Sequence, residues 1–237
     1  GEDGTTVDIR VYRESEDKYY DFTVERRKIE VPTVAYEMLE DNIGYVQVTE
    51  FDEVTSDQYI AAVDDLKAQG MEGLIVDIRD NPGGLLSCVV DMLDYMLPEG
   101  TIVYTEDKNG EGDTYTSDAE HYFDLPLAVL VNGNSASASE IFSGAIQDYE
   151  TGTIIGTQTF GKGIVQSILP FNDGSAIKIT VSRYFTPRGT CIHGEGITPD
   201  VEVDLNEELK TKLTIEKSED NQLQKAIENV KEQIAAE

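Results

Sequence analysis

Two stretches of small residues, 81–84 (NPGG) and 132–139 (NGNSASAS), each follow a short apolar run and precede a run with helical spacing. Small side chains let backbone N–H groups at a helix start approach a ligand atom, an arrangement that holds an anion or a developing oxyanion. The same residue types also serve turns and caps alone. A nucleophile beside those amides has three candidates, Ser135, Ser137 and Ser139, and no G-x-S-x-G elbow singles one out. Its base could be a histidine, His121 in a polar stretch or His193 in the Gly-rich segment 191–196, or a lysine. Lys162 has the distinctive setting, flanked by glycines within 159–166 (TFGKGIVQ) and followed by an apolar run. The letters G-x-x-x-x-G-K at 156–162 spell part of a phosphate-binding loop. Gly163, however, replaces the Mg²⁺-ligating Ser or Thr, and a strand pattern follows where that loop requires a helix, so nucleotide binding is rejected.

These residues need elements to hold them. Residues 5–12 and 20–24 alternate in the period of strands around a charged turn, a β-ribbon too small for its own core. Residues 43–48 read as a strand, and 56–69 as a helix with Tyr59, Ile60, Val63 and Leu66 on one face and Gly70 as its stop. Residues 73–78 (GLIVDI) and 127–131 (LAVLV) are the near-continuous apolar runs expected of strands covered on both faces. Each leads through a small-residue turn into a helix, the first from Leu85 and the second over 137–149. A polar excursion at 105–124 predicts a hairpin or surface loop. Strands at 153–155, 164–170 and 176–185 and a charged helix around 223–234 follow. Repeated strand and helix units make an α/β core, whose chemistry belongs where strands end and helices begin.

The 237 residues carry 18 Lys and Arg against 47 Asp and Glu, a formal net charge of −29. Such a surface repels phosphate backbones and anionic lipid, which argues against nucleic-acid and membrane-surface roles. At 39% hydrophobic residues the chain can bury the core of one large domain with appendages. No apolar run approaches the ~18–20 residues of a membrane span. Two cysteines, Cys88 and Cys191, lack metal or redox spacing, and only two histidines occur. Neither a metal nor another cofactor is expected.

Four segments, 76–85 (VDIRDNPGGL), 132–141 (NGNSASASEI), 159–166 (TFGKGIVQ) and 186–201 (TPRGTCIHGEGITPDV), closely resemble in order and spacing the C-terminal processing, or tail-specific, proteases of the S41 serine peptidases. The resemblance runs from about residue 29 to 205. It implies an α/β fold shared with crotonase and the Clp protease, here with an N-terminal β-ribbon and a C-terminal helix. The expected organisation is a truncated PDZ terminus and linker at 1–28, a protease core at 29–205 and a charged helical extension at 206–237. By the same resemblance Ser137 is the nucleophile, Lys162 the base, and Gln166 the residue that orients the lysine. The backbone N–H groups of Gly83 and Ala138 form the oxyanion hole. If 162–166 is a strand, the even spacing projects Lys162 and Gln166 from one face.

Accepting the serine proton requires an uncharged amine, whereas free lysine has a pKa near ~10.4. Phe160, Ile164 and Val165 are expected to bury Lys162, and no acidic residue lies between Glu150 and Asp173. The resemblance implies polypeptide substrates taken through their C-terminal segments and leaves room for a homo-oligomer. Together with the acidic balance it suggests an extracytoplasmic bacterial location. Residues 1–13 resemble only the end of a PDZ domain, so capture of a peptide in a PDZ groove does not carry over. Two other readings compete. A crotonase-like acyl-CoA enzyme also uses two amides as an oxyanion hole and would draw its carboxylate from Glu140. A binding scaffold would leave Ser137 and Lys162 without chemistry.

Overall fold

The computed structural model describes residues 1–29, 31–118, 120–212 and 214–236. The chain divides into two compact units, Gly1–Val31 and Pro32–Glu237. In the first, β1 (Thr6–Arg13) pairs antiparallel with β2 (Lys18–Glu25), with Val7 opposite Val24, Ile9 opposite Phe22 and Val11 opposite Tyr20. Period-two alternation therefore collects these six side chains on one face of the ribbon.

The second unit contains β3 (Val34–Met38), β4 (Ile43–Val48), α1 (Thr55–Ala68), β5 (Gly73–Asp77), α2 (Leu86–Asp94), β6 (Gly100–Glu106) and β7 (Thr114–Ser117). It continues with β8 (Leu127–Val131), α3 (Ala138–Tyr149), β9 (Thr153–Gly156), β10 (Ile164–Pro170), β11 (Ala176–Phe185), β12 (Val201–Glu202) and α4 (Asn221–Ile234). Six strands form the central sheet in the order β12-β9-β8-β5-β4-β3, parallel except for β3 at the edge. A four-stranded antiparallel sheet has the order β10-β11-β6-β7. The polar excursion is thus largely the β6–β7 hairpin and the chain leaving it. This is the predicted α/β architecture of repeated strand and helix units.

The central strands are apolar at nearly every position, Gln47, Asp77 and Thr153 excepted, because both sheet faces are covered. Val46, Val48, Leu74, Val76, Val129, Val131 and Ile154 face a core shared with α1, α2 and α3. The alternate residues Ile43, Tyr45, Ile75, Ala128, Leu130 and Ile155 pack with Leu223, Ala226 and Val230 of α4. The C-terminal segment expected as a charged extension therefore supplies the cover of one sheet face, its apolar stripe inward and its charges outward. Asp220 caps α4, accepting from the N–H groups of Gln222 and Leu223 at 3.1 Å each. The same carboxylate accepts from Arg79 at 2.8 and 3.1 Å, and Arg79 also donates to Asp77 at 2.6 and 2.9 Å. Burial opposes ionisation of Asp220, but the Arg79 hydrogen bonds and charge outweigh it and hold the carboxyl below its usual range. The cluster fastens α4 to the end of β5, where the first small-residue turn begins.

Candidate active site

The two small-residue turns lie side by side at the C-terminal ends of the neighbouring strands β5 and β8. In the second turn, Ser137 precedes the first residue of α3 with φ 56° and ψ −113°. A serine held there carries strain of about 1–3 kcal/mol, as nucleophiles on sharp strand-to-helix turns do. The backbone elbow exists although its usual letters are missing. The neighbouring serines are engaged elsewhere. Ser135 is fully buried, donates to Ile78 O at 2.8 Å and accepts from Asn132 N at 3.0 Å. Ser139, also buried, donates to Asn81 O at 2.9 Å. Ser137 is half-buried.

Asn81 ties the first turn to the second. Its buried side chain donates to Val48 O at 2.9 Å and accepts from Gly83 N at 2.9 Å, while its carbonyl accepts from Ala136 N at 3.0 Å. Gly83 has φ +98°, and a Cβ there would lie 2.6 Å from Ala136 O, 2.8 Å from Ser137 Cβ and 2.9 Å from Ala138 N. Only glycine fits both the conformation and the space. Gly83, Ser137 and Ala138 are thus brought together. Ala138, as the first helical residue, has an N–H without an intrahelical acceptor. The Gly83 N–H is not free: the Asn-Pro-Gly turn folds the Asn81 side chain back onto it.

Residues 157–163 form a loop rather than the start of β10. Its backbone is fixed at many points. Phe160 N donates to Ser135 O at 3.0 Å, Gly194 N to Gly161 O at 2.9 Å and Tyr184 N to Gly163 O at 2.9 Å. A Cβ on Gly163 would lie 2.4 Å from His193 N, so the segment 192–196 packs directly on the loop. The fourth motif is therefore scaffolding for the lysine loop. Glu140, fully buried, accepts from Ser137 N and Lys162 N at 2.8 Å each through Oε2. Its Oε1 accepts from Thr159 Oγ1 and Gly161 N at 2.6 Å each.

The side chains of this loop depart from expectation. Lys162 is exposed and Phe160 is 66% exposed, so the apolar neighbours do not bury the amine. The stretch without acids in sequence is not so in space, because Glu140 reaches it from α3. Gln166 is exposed on β10 opposite Thr180, and the register shifts between Val165 and Gln166. Lys162 precedes the strand and a bulge intervenes, so even spacing does not set a common face for the two side chains. Among the described residues, Ser137 and Lys162 are linked through their backbones and Glu140, not through the Lys162 amine.

Of the histidines, His193 is exposed beside the lysine loop, whereas His121 stacks on Tyr95 with ring centroids 5.3 Å apart. Burial pushes the Cys88 thiol up to about 11, which leaves little thiolate for nucleophilic work at neutral pH. Among the described residues no group of three or more His, Cys, Asp or Glu is placed to hold a metal ion. Glu140, missed as a connector in sequence, was readable only as a carboxylate near the start of α3.

Residues 42–203 match Peptidase family S41. A carboxyl-terminal-processing protease of Synechocystis sp. strain PCC 6803 is 38% identical over 204 residues, covering 84% of this chain and 48% of the relative. The carboxy-terminal-processing protease of Bartonella bacilliformis is 41% identical over 212 residues, covering 86% and 48%. The chain spans about half the length of these curated relatives. A solved photosystem II D1 C-terminal processing protease superposes with a TM-score of 0.69 at 32% identity, covering 86% of this chain and 57% of that one. A putative S41 protease from Bacteroides fragilis NCTC 9343 shares the fold, with a TM-score of 0.72 over 98% of this chain and 67% of that one, at 18% identity. With the family match spanning the two turns, the lysine loop and the segment that braces it, the chain belongs to peptidase family S41.

Proposed function

We propose that the protein is a serine endopeptidase that cleaves polypeptides near their C-terminal tails by a Ser–Lys mechanism. Ser137 Oγ attacks the scissile carbonyl as Lys162 Nζ takes its proton, and the Gln166 amide orients that amine. The tetrahedral oxyanion is held by the N–H groups of Ala138 and Gly83. Collapse breaks the C–N bond, the lysine proton passes to the leaving amine, and an acyl-enzyme on Ser137 remains. Water, deprotonated by Lys162, then attacks the acyl carbon; the C–Oγ ester bond breaks, Lys162 returns the proton to Ser137 Oγ, and the carboxylate product leaves. For Gly83 to donate, the Asn81–Gly83 hydrogen bond must open when substrate arrives.

The observation that carries this reading is Ser137 itself. It is half-buried and, unlike Ser135 and Ser139, does not donate its hydroxyl to a buried carbonyl, on a strained turn touching Gly83 and Ala138. The acyl-CoA reading is disfavoured because the Glu140 carboxylate is already occupied by four donors.

The test is fluorophosphonate labelling and hydrolysis of an unfolded casein. Ser137→Ala should abolish both, and Lys162→Arg should be inactive because a guanidinium does not deprotonate in this range. Hydrolysis should rise with pH, since the active base has lost a proton. Wild-type turnover in Ser137→Ala, or acyl-CoA turnover without labelling, would overturn the assignment. An active Lys162→Arg with His193→Ala inactive would move the base to His193. We also propose an extracytoplasmic bacterial location, consistent with the bacterial relatives. Recovery only from the cytosol on fractionation would refute it.

A further inference from the structure

A capping box needs one hydrogen bond from the N-cap amide to the residue three positions on, here from Ser137 N to Glu140. The Glu140 carboxylate does more than cap its helix. Its other three partners, Thr159 Oγ1, Gly161 N and Lys162 N, lie 19 to 22 residues further along the chain. One buried oxygen, Oε2, receives both the amide of Ser137 and the amide of Lys162. We infer that Glu140 is a positioning residue that sets the distance between nucleophile and base by accepting from both of their backbones at once. The inference rests on the Ser137–Lys162 reading above.

The chemistry of the site demands this residue type. All four partners are donors, and a carboxylate offers about four acceptor sites and no N–H. A carboxamide of the same shape must turn its NH₂ toward a backbone N–H on either side, Gly161 on one or Ser137 and Lys162 on the other, so at least one of these contacts must part. Either loss serves the same end. Losing the Oε2 side frees the Ser137 turn from the Lys162 amide, and losing the Oε1 side frees the loop at Gly161. Among the described residues the exposed Lys162 side chain finds no such fixing of its own, which makes its backbone anchor the main constraint on where the amine starts from.

Glu140→Gln tests this without changing volume. With a fluorophosphonate probe, the limiting rate of Ser137 modification should fall by roughly 10²-fold, the loss typical of a reacting group displaced by about an ångström, while the probe's half-saturation concentration stays within about threefold. Circular dichroism and the melting profile should show a folded protein. The decisive readout is non-additivity. In a Lys162→Ala background, Glu140→Gln should cost little more, whereas a merely structural role would cost the same in both backgrounds. A folded Glu140→Gln with wild-type labelling, or full additivity, would overturn the inference. Should Glu140→Gln not fold, Thr159→Val removes one of the four donors and should slow labelling, with Thr159→Ser restoring it; an unslowed Thr159→Val then overturns the inference. If instead Lys162→Ala labels like wild type, the Ser–Lys reading itself fails, a different outcome from either.

Discussion

The Ser137 side and the Lys162 side of the candidate site are built in opposite ways. Around Ser137, small polar side chains are buried and committed: Ser135 to Ile78, Ser139 to Asn81, Asn81 to Val48 and Gly83. Around Lys162 it is the backbone that is committed, to Glu140, Ser135, Tyr184 and Gly194, while Lys162, Phe160 and Gln166 project into solvent. The Ser137 turn is a fixed die, held by both strands and helix. The lysine loop is a fixed track carrying exposed side chains. Fixing the strained Ser137 backbone needs many partners, since each buried hydrogen bond contributes only about 0.5–1.5 kcal/mol net. A long amine instead keeps its rotamer freedom until substrate fills the space around it.

Substitutions should separate the two designs. Gly83→Ala attacks the fixed turn at its tightest point, since the new Cβ would meet Ala136 O at 2.6 Å at a positive φ. We expect a loss of roughly 2–4 kcal/mol in denaturant unfolding, from overpacking and conformational strain together, and a fall of at least ~10²-fold in casein hydrolysis. Next, Asn81→Ala leaves Val48 O and Gly83 N without their buried partner and should cost about 1–3 kcal/mol. Ser135→Ala and Ser139→Ala should each cost about 1 kcal/mol and keep measurable turnover, in contrast to Ser137→Ala. At the small end, Gln166→Ala on the exposed side should change stability by no more than about 0.5 kcal/mol, yet lower turnover, by less than Lys162→Ala does. A Gln166→Ala that melts far earlier than wild type would break the contrast, because it would give that side chain a structural duty.

The same contrast governs what could be read from the letters. The runs at 73–78 and 127–131 announce buried strands because burial on both faces leaves Asp77 as their one polar position. The two turns between strand and helix are legible because small Gly, Asn and Ser residues interrupt an apolar run just before a helical pattern. Choosing Ser137 from its neighbours was not possible from residue type, because the distinction lies in which hydroxyls find buried partners across the turn. The edge strand β3 escaped notice, since only Val34 and Met38 of its five residues are even partly buried. Reading Lys162 as part of a strand failed because glycines on both sides leave no period to detect, and the bulge after Val165 is silent in sequence. Glu140 is the sharpest case. Its neighbours in sequence suggest a helix cap, and its function as a connector depends on partners some twenty residues away.

The cluster of Asp77, Arg79 and Asp220 has a kinetic consequence. Arg79 and Asp220 are 141 positions apart, so their contact closes a very long loop, and such contacts form late because chain entropy must be lost before they form. Until they form, Ile43, Tyr45, Ile75, Leu130 and Ile155 lack the covering helix that packs on them. A chain that completed its parallel sheet before this contact would leave one apolar face open to solvent, the kind of surface on which partly folded chains self-associate. Once closed, the same clasp acts on the other limb of the reaction. Interactions made only after the folding barrier slow unfolding rather than speed folding, so if the latch on α4 closes after that barrier, breaking it with Arg79→Ala should speed unfolding more than it slows folding.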